Sequence, residues 1–93
     1  MFDQVLKYLR DKIRKRDYKM TLHAEEEMND DDLTIWDIET CILTGGIAER
    51  QRDKETAEWK YLIKGQTFDC LEIEIIVKLS PTGKLVIITV YEH

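Results

Sequence analysis

From Leu71 to Tyr91 the chain reads LEIEIIVKLSPTGKLVIITVY, two strand-length runs joined by a tight turn. In the first run Leu71, Ile73, Ile75, Val77 and Leu79 alternate with Glu72, Glu74 and Lys78. A period of two with one apolar face is the pattern of a half-buried strand and of no helix. Ser80-Pro81-Thr82-Gly83 supplies turn chemistry, with Pro at the second position and Gly at the fourth. A connection that short makes its two strands antiparallel neighbours. The second run, KLVIITVY at 84–91, is apolar on both faces, which puts it centrally in a sheet.

Upstream, GIAERQR (46–52) and EWKYLIK (58–64) read as two further strands around the polar stretch DKETA. Before Gly46 the period is helical. Phe2, Val5, Leu6, Leu9 and Ile13 form the stripe of a first helix over about residues 3–16, with Lys7, Arg10 and Arg14 on another face. YKMT, 18–21, is extended. Thr21 caps a short helix LHAEEEM, whose glutamates favour the positive end of the dipole, and Asn29 with Asp30-Asp31-Asp32 breaks it. Thr34 caps a third helix with Asp37 as its reciprocal partner and Leu33–Ile38 as a staple, and Gly45-Gly46 stops it. The expected fold is α+β, one domain over residues 1–93, with N-terminal helices on one face of a mainly antiparallel sheet of about four strands.

Charge is unevenly placed. Residues 1–19 carry +4, residues 20–49 carry −9 with no Lys or Arg, and residues 50–93 balance, for a net −5. The overall field therefore does not draw the chain to a phosphate backbone, although its basic first helix is a local patch. No apolar run approaches the ~20 residues that cross a bilayer, and the amphipathic start is not a secretory signal, so no membrane is involved and the cytoplasm is the expected compartment. Cys41 and Cys70 match no CxxC spacing and sit in apolar stretches, which reads as two buried free thiols.

Few residues carry chemistry. His23 has Glu26 at i+3 and Glu27 at i+4, carboxylates placed to fix an imidazole tautomer for acid–base work, against a half-buried histidine packed on the sheet. The same set lacks a second histidine, so no metal site and no cofactor are expected. No nucleophile elbow or phosphate-binding glycine loop is present, and Cys41 has no basic neighbour to activate it. Glu72 and Glu74 read as a solvated face, and Trp36, Trp59, Tyr61 and Phe68 as core more than as base-stacking platforms. Arg50, Arg52, Lys60, Lys64, Lys78 and Lys84, with Tyr91 and His93, are cations and proton carriers distributed over the strands. Metal-free RNA cleavage needs a base for the 2′-hydroxyl proton, an acid for the leaving 5′-oxygen and a cation on the transition state, and these residue types supply all three.

The stretches LHAEEEMNDDDLTIWDIETCILTGGIAER and GKLVIITVYEH, a His-Ala step opening a short helix, a capped Leu-Thr-x-x-Asp-Ile-Glu helix closing at Gly and a strand ending Ile-Thr-Val-Tyr, resemble a bacterial family of small domains of unknown function. That family is grouped with the RelE-like toxin fold, is similar in layout to BrnT toxins, and is often paired with zinc-finger antitoxins of the MqsA (YgiT) type. The resemblance runs from Tyr18 onward. It implies a toxin of a toxin–antitoxin pair, a metal-independent endoribonuclease acting on mRNA, held by a cognate zinc-finger or helix-turn-helix antitoxin. It makes His23, Arg50, Lys84 and Tyr91 the catalytic candidates and Lys60, Lys64, Lys7, Arg10 and Arg14 the RNA-binding ones. The alternative is a non-catalytic protein-interaction module of the same fold. The chain departs from those toxins in charge: they are basic, and its acidic block at 25–39 repels RNA from that side.

Overall fold

The computed structural model describes residues 2–92; His93 lies outside the described residues. Three helices, α1 (Asp3–Arg14), α2 (Leu22–Asp30) and α3 (Ile35–Thr44), accompany five strands: β1 (Tyr18–Met20), β2 (Gly46–Arg52), β3 (Trp59–Gln66), β4 (Glu72–Leu79) and β5 (Leu85–Glu92). The sheet runs β1-β5-β4-β3-β2. The expected four-strand meander forms its antiparallel part, and the extended YKM adds a fifth strand, parallel to β5, through Tyr18↔Leu85 and Met20↔Ile87.

Local chemistry sets the helix boundaries. Thr21 Oγ1 accepts from the Ala24 N–H at 3.1 Å, and Thr34 with Asp37 forms a complete capping box. Asn29 and Asp30 extend α2 rather than break it, and Asp31 is its C-cap. Beyond α1, Arg16 holds φ 54° while its N–H bonds Ile13 O and the Asp17 N–H bonds Lys12 O. That is a Schellman ending with arginine where glycine is usual. Gly45 ends α3 at φ −84°, so no left-handed turn requires it. Close approach does: a Cβ there would collide with the Lys64 and Cys41 carbonyl oxygens.

The helices cover one face of the sheet. Leu9, Ile13, Ala24, Leu33, Ile38, Cys41 and Ile42 close over Tyr61, Ile63, Ile73, Ile75, Val77, Leu85, Ile87 and Val90, all buried. Arg10, partly buried, donates from Nη2 to Gly45 O at 2.7 Å and from Nε to Ile42 O at 3.2 Å, so α1 supplies the cation that ends α3. Cys41 is buried as expected. Cys70 is exposed, held at φ 66° in the β3–β4 turn, where Phe68 is exposed as well. Trp36 faces outward from α3, whereas Tyr61 is core.

Candidate functional site

The helix-free face of the sheet holds most of the polar strand residues, and a bulge decides which side chains reach it. Val77 pairs with Ile87 but Ile76 pairs with Thr89, so Ile88 is an extra residue in β5. Strict alternation from Leu85 and Ile87 would turn Tyr91 toward the helices. The bulge shifts the phase, buries Val90 and sets Tyr91 opposite Glu74 on the open face. A second bulge between Ile47 and Glu49 puts Glu49 opposite Leu62 on the open face and turns Arg50, opposite Tyr61, toward the helix side.

At the Tyr91 end, Glu74 is 7% exposed, not solvated. Its carboxylate hydrogen-bonds Tyr91 and lies 3.5 Å from Lys64 Nζ. The hydrogen bond to Glu74, then burial and the negative charge of Glu74, Glu49 and Glu27, hold the Tyr91 phenol above its ordinary value. Tyr91 is therefore protonated at neutral pH. It shares a groove of ≈ 210 Å³ with Lys60, Glu49, Gln51, Leu62 and Ile76.

His23 approaches this end from the β5 side. β1 stops pairing at Ile87, and α2 takes over the bare edge: the Thr21 N–H donates to Ile87 O, and the Val90 N–H donates to Glu27 Oε1 at 3.2 Å. The same Glu27 oxygen is 3.1 Å from His23 Nε2. His23 is not half-buried against the sheet. Its side chain is 68% exposed and is held by one carboxylate, the next residue along the edge from Val90 being Tyr91. A carboxylate-anchored, solvent-facing imidazole is positioned to exchange protons.

The cations separate into distinct environments. By register, Lys60 and Lys78 are neighbours across β3 and β4 on the open face, and Lys19 joins their row through Val86. Their row lies about 13 Å along the strands from the Glu74–Tyr91 pair at ~3.3 Å per residue. Lys60 is 3.2 Å from Asp53 and Lys78 2.8 Å from Glu58; the Glu55 N–H, then Lys60, lower the Asp53 carboxyl, and the Lys78–Glu58 pairing lowers Glu58 and raises Lys78. Arg50 and Arg52 share the helix-side face, over the Trp59 ring at 4.3 and 5.2 Å. Lys84 stands just before β5, at the end opposite Tyr91. Lys7 and Arg14 are exposed on α1, while Arg10 is engaged with α3.

The fold thus places Tyr91 and Lys64 at one end of the open face, with His23 anchored on α2 along the neighbouring β5 edge; Lys60 lies farther along the same face, and Arg50, Lys84 and the α1 cations lie elsewhere. Glu27 was legible in sequence as the i+4 neighbour of His23. Glu74 was not, because LEIEIIV treats Glu72 and Glu74 alike. Among the described residues no group of three His, Cys, Asp or Glu side chains is arranged to hold a metal ion, and no helix is long and apolar enough to cross a membrane.

Compared with known families, residues 20–92 match the one described as a domain of unknown function (DUF4258). No curated protein and no solved structure matches.

Proposed function

We propose that this chain, which belongs to the domain of unknown function family DUF4258, is a toxin-type domain that cleaves RNA without a metal at the Tyr91 end of its open sheet face. The observation that supports the reading is Tyr91 held on Glu74 beside Lys64, over a groove that extends to Lys60, with the Glu27 that holds His23 close enough for its charge to act on Tyr91. His23 takes the 2′-hydroxyl proton or orients the group that does. Tyr91, kept protonated, donates to the leaving 5′-oxygen. Lys60 and Lys64 neutralise the charge that develops on the phosphate. Each lysine would turn from its carboxylate partner, Asp53 or Glu74, to the phosphate. In the cell the activity is held by a cognate antitoxin.

The test is cleavage of a labelled RNA by the purified domain in excess chelator. Expected are fragments ending in a 2′,3′-cyclic phosphate, lost in His23→Ala and Tyr91→Phe, and growth arrest on induction that both substitutions relieve. Intact RNA at micromolar protein together with normal growth would overturn the proposal.

A second reading, a non-catalytic interaction module, is favoured by one observation: Lys60, Lys64 and Lys78 each already face a carboxylate within 3.5 Å, so the open face meets a phosphate with little free charge. The partner then docks on the basic α1 face. Charge reversal at Lys7 and Arg14 would abolish its capture while His23→Ala leaves it intact. Arg10 is kept, because its reversal would disturb α3.

A further inference from the structure

At the end of β5 opposite Tyr91, a cavity of ≈ 310 Å³ lies between the end of α1, β1 and the β4–β5 turn. Its walls include Lys12, Arg16, Asp17, Lys19 and Lys84, four cations and one carboxylate in a chain of net charge −5. Asp17 is committed to Lys12 at 3.0 Å. Among the described residues no carboxylate lies within ion-pairing distance of Arg16, Lys19 or Lys84. The contrast with Lys60, Lys64 and Lys78 is direct, since each of those three has an acidic partner.

The three unpaired cations come from three separate places in the fold. Arg16 follows α1, Lys19 is the centre of β1, and Lys84 closes the turn into β5. Arg16 is held there in the left-handed backbone region that favours glycine. Like charges gathered without counter-ions repel one another, and an anion entering the cavity removes that repulsion.

We infer that this cavity binds a phosphate ester of nucleotide size through Arg16, Lys19 and Lys84. A monoester carries between one and two negative charges at neutral pH and three acceptor oxygens, which suits three cations, whereas a single carboxylate leaves most of the positive charge unmatched. The volume is that of a small-molecule site and exceeds what a bare phosphate fills. Val86 supplies an apolar wall for the organic part. The phosphate is either that of a free nucleotide or the terminal phosphate of an RNA. The inference stands independently of the cleavage proposal.

The experiment is an NMR titration of the whole chain with adenosine 5′-monophosphate and with adenosine, and with a tetranucleotide bearing a 5′-phosphate or a 5′-hydroxyl. Expected is saturable binding of the monophosphate with a dissociation constant below about 1 mM, at least about tenfold tighter than adenosine. Lys19→Ala, Lys84→Ala and Arg16→Gly should each weaken it about tenfold. Arg16→Gly guards against misfolding as the cause, because glycine suits that backbone conformation. A preference for the 5′-phosphorylated tetranucleotide over its hydroxyl counterpart identifies RNA ends as the source; equal binding of the two, beside tight monophosphate binding, identifies the free nucleotide. His23→Ala should leave the titration unchanged, so this site and the cleavage site fail separately. A monophosphate that binds no tighter than adenosine, or equally well to all three variants, would overturn the inference.

Discussion

Replacing Glu27 separates its two roles. Its carboxylate accepts the Val90 N–H at 3.2 Å along the stretch of β5 that β1 does not reach, and it holds His23 at 3.1 Å. Glu27→Ala removes the acceptor and leaves a partly buried amide without one, which costs about 1–3 kcal/mol. The His23 contact adds little, because its side chain is 68% exposed and even an ion pair at such a site contributes at most about 1 kcal/mol. Glu27→Gln keeps an oxygen for Val90 and should cost less than about 1 kcal/mol, and His23→Ala less than about 0.5 kcal/mol. Urea unfolding followed by Trp36 and Trp59 fluorescence reads the difference. With a slope of about 1–3 kcal/mol per molar, Glu27→Ala should move the midpoint down by roughly 1 M and Glu27→Gln by much less. If Gln costs as much as Ala, the negative charge rather than the hydrogen bond secures the edge, and the account of α2 as a substitute strand partner is wrong.

Three further outcomes are expected. Tyr91 is held above the ordinary phenol value mainly by Glu74, so the fold favours its protonated form. Its contribution to stability is full below the unfolded value of about 10 and is lost as pH rises through the folded value. Absorbance titration near 295 nm, taken as the difference from Tyr91→Phe, should show a midpoint above that of a free tyrosine; a midpoint at or below it would discard Tyr91 as a proton donor protected by Glu74. Arg10→Ala, which removes two charge-assisted bonds to the end of α3, should cost about 2–3 kcal/mol in the same urea assay; a loss below about 0.5 kcal/mol would show that water replaces the guanidinium. With a thiol reagent at neutral pH, exposed Cys70 should react at once, while Cys41, its thiol pushed up to about 12 by burial, should react only on unfolding. Fast labelling of both would contradict the packing around Cys41.

Local signals carried well from sequence to structure and long-range ones did not. The two threonine caps, the phase of β4 and the turn at 80–83 were legible because neighbouring residues determine them. The side of the sheet that Tyr91 and Arg50 occupy was not, since each depends on one extra residue in a strand, and a bulge leaves no mark in apolar runs such as KLVIITVY. Arg10 looked like one more cation on a solvated face; its role appears only once α3 ends beside it. Gly45 was correctly placed at a helix end for an incomplete reason, its backbone lying against β3 without a left-handed turn. Cys70 looked buried because its neighbours are apolar, yet the turn that contains it projects into solvent. The site inherits the same division. The His23–Glu27 spacing is a property of one helix, whereas the Glu74–Tyr91–Lys64 contact joins three strands.

The family match begins at Met20, so α1 precedes the stretch by which this chain resembles its relatives. Yet Leu9 and Ile13 are buried in the shared core, and Arg10 closes a helix that lies inside the match. The stretch that similarity delimits therefore omits α1 and two of the three β1 residues, Tyr18 and Lys19, although α1 closes the core. A fragment cut at Met20 would keep every residue of the family match while uncovering the core above α3 and leaving the Ile42 and Gly45 carbonyls to water. Such a fragment should behave as a loosened globule rather than as a smaller native domain. For a relative that lacks an equivalent of α1, the fold demands a replacement: another apolar segment over the same patch, with a cation at the end of α3.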